Sequence, residues 1–361
     1  MKRVEIKKKK STKFSLILKV ILLLSASLLI CVTAYGIYIT KKAEHAANKS
    51  FEEVADREQS DKRQAKVEPV QDNVSILFIG VDDSEKRGQG SDNSRSDALI
   101  LATLNNEEKS VKLVSIPRDS KVYIPYVGYE DKITHAHAYG GTLASIETVE
   151  ELFDIPVDYY VRMNFNAFID VVDALGGIEV DVDIPYAFTE KDENDRYSIR
   201  LEPGLQQLNG SQALALARTR KHDSDIMRGK RQQDILKAIA KKASSVSAIT
   251  KYDDIIEAIG DNMKTDMTFD EMKSFFSYLS NGIPQIDTLT LEGSDDMSTG
   301  IYYYLLDQES LEETQHILKS HLGLIPDTSD ISGTMSGTNN NLDVTASENI
   351  QADTYNSSLQ Q

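Results

Sequence analysis

Residues 20–40 (VILLLSASLLICVTAYGIYIT) are 21 consecutive positions without a formal charge, and nothing else in the chain restricts its fold so tightly. A helix of that length, rising about 1.5 Å per residue, covers the roughly 30 Å hydrocarbon core of a bilayer. A cleaved signal has a shorter apolar region, about 7–15 residues, ending at small side chains. Here the run continues past Ser25-Ala26-Ser27, and Cys31 follows the bulky Ile30, which does not suit a lipidated cysteine. The segment reads as a retained single-pass membrane anchor. Eight Lys and Arg but only one acid, Glu5, precede it, whereas Lys41 and Lys42 alone lie close after it. That asymmetry keeps the N-terminus in the cytoplasm and sends the rest across the cell membrane, to an extracellular position. Tyr35 and Tyr38 sit where interfacial aromatics belong.

Charge narrows the partners of that outer part. The whole chain carries −17, yet residues 1–19 sum to +7 and the remainder to −24. Nucleic acid is excluded as a partner of so acidic a body, because its binding rests on neutralising phosphates with cations. Cys31 is the sole cysteine, so there is no intramolecular disulfide and no cysteine-based metal centre. The expected organisation is a basic tail (1–19), the membrane helix (20–40), a charged, solvated stalk (41–68), one folded domain (69–326) and a disordered polar tail (327–361).

Within the domain, strand patterns fall at 74–81, 98–104, 111–116, 159–163, 178–182 and 288–291. Helical patterns fall at 142–153, 165–175, 210–219, 228–246, 253–259, 270–279 and 310–321. Leu175-Gly176-Gly177 is a helix stop. The mixture indicates α/β or α+β. The link at residues 105–108 suits a hairpin but not a parallel crossover, so the first three strands are expected to run as an antiparallel meander. One edge of that meander gathers Asp82, Asp83, Arg95, Asp97, Arg118 and Asp119. Carboxylates with room for water are hard-ligand sites for Mg²⁺, and arginine pairs with phosphate oxygens.

A second cluster lies in ARTRKHDSDIMRGKRQQ (217–233). Arg218 and Arg220 end one helix, and Asp225 is placed to cap the next. Arg228, Arg231 and Gln232 come after it at three- and four-residue spacing, and the Arg228–Gln232 stripe continues into the apolar row Ile235, Ile239 and Val246, so Arg228 and Gln232 are expected to point inward. An inward arginine group needs an anionic ligand or buried carboxylates, and a structural network with Asp223 and Asp225 stands as the alternative. His135 and His137 are two apart, a strand spacing, with packing rather than metal binding as the expected role. The apolar rows of 165–175 read as core. There is no G-x-S-x-G, H-E-x-x-H or G-x-x-x-x-G-K-[ST] motif.

Six segments in this order resemble the LytR–CpsA–Psr family of cell-wall polymer ligases, with the wall teichoic acid ligases of Bacillus nearest. They are ILFIGVDD (76–83), RSDALILATLN (95–105), SIPRDSKVYIP (115–125), KITHAHAYGG (132–141), NFNAFIDVVDALGGIEVDV (164–182) and LARTRKHDSDIMRGKRQQ (216–233). The resemblance implies an α/β domain with a central mixed sheet flanked by helices, and a polyprenyl tail held between them. It implies a phosphotransferase that moves an anionic glycopolymer from undecaprenyl pyrophosphate to the C6 hydroxyl of N-acetylmuramic acid in peptidoglycan. Asp82 and Asp97 are then the ligands of Mg²⁺, or of Mn²⁺ in its place. Arg95, Arg118, Lys132, Arg218, Arg220, Arg228 and Gln232 bind pyrophosphate, Asp119 and Asp225 orient arginines, and Arg118, Arg220 and Asp97 carry the chemistry. Ser84 departs from the family, which often has arginine there. Two other readings use the same residues: a polyprenyl-pyrophosphate hydrolase, and a non-catalytic polymer-binding scaffold or regulator.

Overall fold

The structure is a computed structural model that describes residues 13–55, 57–69, 71–81, 94–192, 197–219, 224–244, 263–280 and 284–326, with side chains described from Ile21 and omitted at 276–280. The polar tail from 327 and the helix expected at 253–259 lie outside the described residues.

The chain starts with one long helix, α1 (Lys13–Ser50). Its stretch Ile21–Ser50 is long and apolar enough to cross a membrane, and the large apolar side chains on it, such as Leu23 and Ile30, are exposed. The segment after residue 40 is not the solvated stalk expected of it. Ala46, Ala47 and Ser50 are already buried, Val54 joins the main core and Val67 a second one. Arg57 makes a paired contact with Glu150 at 2.9 and 3.1 Å, and Arg63 does the same with Asp158 at 2.8 Å. The charges of 41–68 suggested solvent because their partners lie about a hundred residues away in sequence.

The domain is built on a six-stranded sheet of order β11–β6–β1–β2–β3–β12, made of β1 (Val74–Val81), β2 (Ser96–Asn105), β3 (Ser110–Ser115), β6 (Tyr159–Asn164), β11 (Met263–Thr265) and β12 (Gln285–Thr290). β1, β2 and β3 form the expected antiparallel meander, while β6 and β12 join it in parallel on either side. Asn105 stabilises the β2–β3 turn by accepting from the backbone N–H of Glu107 and Glu108. Period-two alternation divides the sheet: Leu77, Ile79, Leu101 and Val114 point to one side, Ile76, Phe78, Ile100 and Leu113 to the other.

The first side is closed by α2 (Ile133–Phe153) and α7 (Gln308–His321). α2 begins nine residues before the expected helix and bends at Gly140-Gly141, where Gly141 has φ 61° and non-helical geometry. His135 and His137 therefore lie on a helix rather than a strand. His321, at the end of α7, is buried between the hydroxyls of Thr103 and Ser110 at 2.8 Å each. Burial pushes its imidazole down to about 4.

The other side carries α3 (Phe165–Ala174), α4 (Gly210–Arg218), α5 (Asp225–Ala243) and α6 (Phe269–Ser280). The glycine stop at 175–177 holds, with Gly176 and Gly177 at φ 80° and 84°. A two-stranded sheet of β7 (Ile178–Val182) and β10 (Gly204–Leu208) shares a core with α3, α4 and α5. Three hairpins that no periodicity announced complete the fold: β4 (Lys121–Ile124) with β5 (Tyr129–Lys132), β8 (Phe188–Lys191) with β9 (Ser198–Leu201), and β13 (Gly293–Asp296) with β14 (Tyr303–Leu306).

Candidate functional site

Between the second face of the sheet and helices α3, α4 and α5 lies a cavity of about 330 Å³. Its sheet wall is Phe78, Gly80, Ala98 and Ile100, with Met163 alongside; its helical wall is Phe165, Phe168, Leu214, Ala217, Ile235 and Leu236. The void has a local cause. Gly80 and Ala98 are register partners on the face turned to the helices, and a Cβ on Gly80 would already lie 3.2 Å from that of Ala98. Two small residues at one pair keep the floor of the pocket open where larger ones would fill it.

The polar end of the cavity is made by Asp97, Arg118, Arg218, Arg228 and Gln232, all expected from sequence. Asp97 stands near the start of β2. Arg118 comes after β3 in a turn closed by the Ser120 N–H on the Pro117 carbonyl, and its guanidinium donates to Asp97 Oδ1 at 2.9 Å. α5 is capped by Ser224, whose hydroxyl accepts from the Met227 N–H; Asp225 is the first helical residue, not the cap expected. Its carboxylate instead joins two segments, accepting from the Arg118 backbone N–H at 3.2 Å and pairing with Arg228 at 2.8 Å. Gly229 permits this approach, since a Cβ there would meet Ser115 Oγ at 2.6 Å.

Arg218 ends α4 with its guanidinium 4.6 Å from the Phe165 ring centroid, a cation–π contact that, among the described residues, leaves its N–H groups for another partner. Gln232 donates to the Ala217 carbonyl at 3.1 Å, fixing α5 to the end of α4. Asp119 lies 3.6 Å from Arg118 Nε and 2.9 Å from Lys132 Nζ, so Lys132 joins the group through Asp119 rather than by lining the cavity. Beside it, burial pushes the Asp131 carboxyl up, but hydrogen bonds from Tyr139, His135 and the Lys132 N–H outweigh this and leave it below the usual range. Arg95 is exposed, one residue before β2, and stands apart from the cavity. Asp82 and Arg220 lie outside the described residues.

The rim sets three guanidiniums above an apolar void, Arg118 beside Asp97 and Asp119, Arg228 beside Asp225 and Arg218 on a phenyl ring, an arrangement suited to a ligand with an anionic head and a hydrocarbon body. Among the described residues no three His, Cys, Asp or Glu form a metal cage. Asp97 presents a single carboxylate to the cavity, its Oδ1 accepting from Arg118; a cation of the Mg²⁺ kind takes one or two carboxylates and completes its shell with water and substrate phosphate.

Three features escaped sequence reading. Phe165 and Phe168, read as core, line the cavity; apolar periodicity marks a buried face but not whether a side chain or a ligand covers it. Arg231 is 1 % exposed and reaches the Thr219 carbonyl at 3.1 Å and Asp183 at 3.4 Å, holding the residue after Arg218. Its place on the arginine stripe was visible, its inward partners were not. Gln233 donates to the carbonyls of Leu113 and Leu289, fastening α5 to β3 and β12; no sequence signal marked it.

The fold agrees with known proteins. The polyisoprenyl-teichoic acid–peptidoglycan teichoic acid transferase TagT of Bacillus subtilis is 40% identical over 318 residues, covering 88% of this chain and 98% of its own. The transferase TagV of the same organism is 38% identical, with 87% and 81% covered. A structure of TagT bound to LIIa-WTA superposes with a TM-score of 0.64 at 39% identity, covering 75% of this chain and 99% of that one. TagT with bound octaprenyl pyrophosphate lipid gives 0.60 at 36% identity, with the same coverage. The LytR_cpsA_psr family model matches residues 37–320, a range that takes in the sheet, the cavity and every rim residue, and the chain belongs to the LytR–CpsA–Psr family.

Proposed function

We propose that the chain is a membrane-anchored phosphotransferase that moves an anionic glycopolymer, wall teichoic acid by kinship, from undecaprenyl pyrophosphate to the C6 hydroxyl of N-acetylmuramic acid in peptidoglycan. The observation that carries this reading is the arginine rim set directly on an apolar cavity. The pyrophosphate of a lipid carrier meets Arg118, Arg218, Arg228 and Gln232, while its isoprenoid enters between Phe78, Phe165 and Phe168. The relatives named as teichoic acid transferases, and the TagT structure with prenyl pyrophosphate, support the same assignment. The apolar N-terminal helix and its basic flank support a cytoplasmic N-terminus and a domain on the outer surface.

In the proposed reaction the acceptor oxygen attacks the glycan-linked phosphorus and the bond to the bridging oxygen breaks. Undecaprenyl phosphate leaves, and the hydroxyl proton passes to a base for which Asp97 is the candidate. Phosphoryl transfer of this kind needs position and charge neutralisation more than covalent help. Arg118 is suited to it because Asp97, Asp119 and the contact of its backbone with Asp225 fix its direction before substrate arrives. Asp97 and Asp82 are the proposed holders of Mg²⁺, which when bound neutralises pyrophosphate charge. Arg95 and Arg220 remain proposed pyrophosphate contacts, Arg220 an indispensable one.

The test uses the full chain in lipid nanodiscs with a glycan-labelled lipid pyrophosphate, Mg²⁺ and uncrosslinked peptidoglycan. Label is expected on peptidoglycan, and to be lost with Arg118→Ala or EDTA. Label released only as free glycan phosphate would replace the ligase by a hydrolase; donor bound but unchanged would leave a binding scaffold.

A further inference from the structure

Beyond Lys132 the rim continues onto a surface that the transfer chemistry does not use. Tyr126, Tyr129 and Tyr139 are 38–53 % exposed there, although each carries a large apolar ring. They come from the β4–β5 hairpin and the first turns of α2, and Tyr129 and Tyr139 are held by contacts. The Tyr129 and Tyr139 rings meet edge to face with centroids 6.1 Å apart. Tyr139 donates its hydroxyl to Asp131 at 2.5 Å, and His135 shares the same carboxylate oxygen at 2.8 Å. Tyr303, from β14, donates to the other oxygen at 3.3 Å. Lys132 Nζ then lies 5.7 Å from the ring centroids of both Tyr302 and Tyr303, and 2.9 Å from Asp119, which meets Arg118. A continuous path of contacts thus runs from the tyrosines to the arginine above the cavity.

We propose that this tyrosine surface seats the acceptor, a strand of linked amino sugars, an assignment that rests on the transfer reading above. Tyrosine offers what a pyranose requires: a flat apolar face for its C–H groups and a hydroxyl for its polar edge, at low entropic cost because the ring has few rotatable bonds. The charge of the surface selects between the two polymers of the reaction. Glu130, Asp131, Asp295 and Asp296 outnumber Lys121 and Lys132 on the two hairpins that form it, Lys121 being paired with Glu130, and this acidic excess repels a chain of phosphates while tolerating a saccharide strand. The donor therefore enters through the cavity and the arginines, and the acceptor approaches from the hairpin side, which brings a sugar hydroxyl toward the Asp97–Arg118 pair.

The full chain in nanodiscs is compared with the Tyr126→Ala/Tyr129→Ala pair, the corresponding Phe pair, and Tyr129→Ala alone as a milder variant should the first pair melt early. Three quantities are read: KM for uncrosslinked glycan strands, Kd for a fluorescent octaprenyl pyrophosphate, and co-sedimentation with glycan strands. The alanine pair is expected to raise the acceptor KM about tenfold, with kcat and the lipid Kd within about twofold, and the phenylalanine pair to recover most of the loss. An unchanged KM overturns the proposal, as does a weakened lipid Kd in place of a raised KM. If the wild-type chain transfers nothing, the transfer reading falls separately. Tyrosine-dependent co-sedimentation would then still support a glycan platform, and its absence would overturn that too.

Discussion

Two regions of this molecule combine arginines with carboxylates, and they do opposite things. At the seam behind α1, Arg57 meets Glu150 and Arg63 meets Asp158 in paired geometry, and Arg162 meets Glu52 at 3.1 Å. Each cation has its own carboxylate. Surplus donors go to backbone carbonyls, Arg57 to Val157 and Arg63 to Asn73. At the cavity rim, Arg118 meets Asp97 and Asp119, Lys132 meets Asp119 and Arg228 meets Asp225, whereas Arg218 lies on a phenyl ring, and an apolar void opens beneath. A balanced set closed on itself holds two parts of a chain together; an unbalanced set beside a void is left with capacity for an anion. Composition does not tell the two apart, because both are Arg and Asp or Glu. The difference lies in whether, among the described residues, each cation meets a carboxylate of its own.

That contrast is open to attack at several points, the largest effect first. Arg57→Ala leaves Glu150 buried without its main partner, and removing one member of a buried pair costs about 3–5 kcal/mol. Chemical denaturation in detergent should show a loss of that size, while the protein that remains folded binds lipid pyrophosphate as before. Weakened lipid binding in the folded fraction would mean that seam and rim are not separate. Arg118→Ala should give the converse, a fall in transfer rate of about 10²–10³-fold, as for the loss of one donor to a developing anion, with little change in the denaturation midpoint. A midpoint shift as large as that of Arg57→Ala would make the rim structural as well.

The smallest effect separates the regions by pH. Asp266 accepts from the Tyr160 N–H at the seam, and burial pushes its carboxyl up to about 6 from the ordinary 3.8. The folded state therefore holds this proton more tightly than the unfolded chain. Stability contributed by Asp266 is complete below 3.8 and is lost as pH rises through 6. Asp266→Asn, which cannot ionise, should match the wild type near pH 4 and exceed it by about 1–3 kcal/mol at pH 8. His321 slopes the opposite way between about 4 and 6.5, but it is common to both proteins and drops out of the difference. A difference curve flat with pH would show Asp266 charged throughout.

Much of the site was legible because phosphate chemistry demands particular side chains. Asp97, Arg118, Asp119, Arg228 and Gln232 stand out as charged or polar residues at strand ends or in line with an apolar stripe, and a four-residue link dictates the meander that assembles them. The helix at Phe165 was equally visible, but its role was not: a ring facing a partner helix and a ring facing a void leave the same periodic pattern. The seam was misread for a related reason. Arg57 and Glu150 are 93 residues apart, and sequence alone offers no means of pairing them.

The sequence by itself determined the long apolar helix, the antiparallel core of the sheet and the kinds of side chain at its edge. These obey local rules: length against bilayer thickness, alternation along a strand, and the reach of a short turn. Only the tertiary structure decided that the charged segment after α1 is part of the folded body, that a glycine–alanine pair leaves a cavity under the arginines, and that tyrosines from two distant hairpins adjoin Lys132. Each depends on which surfaces meet across the fold, and close packing settles that for the whole chain at once rather than residue by residue.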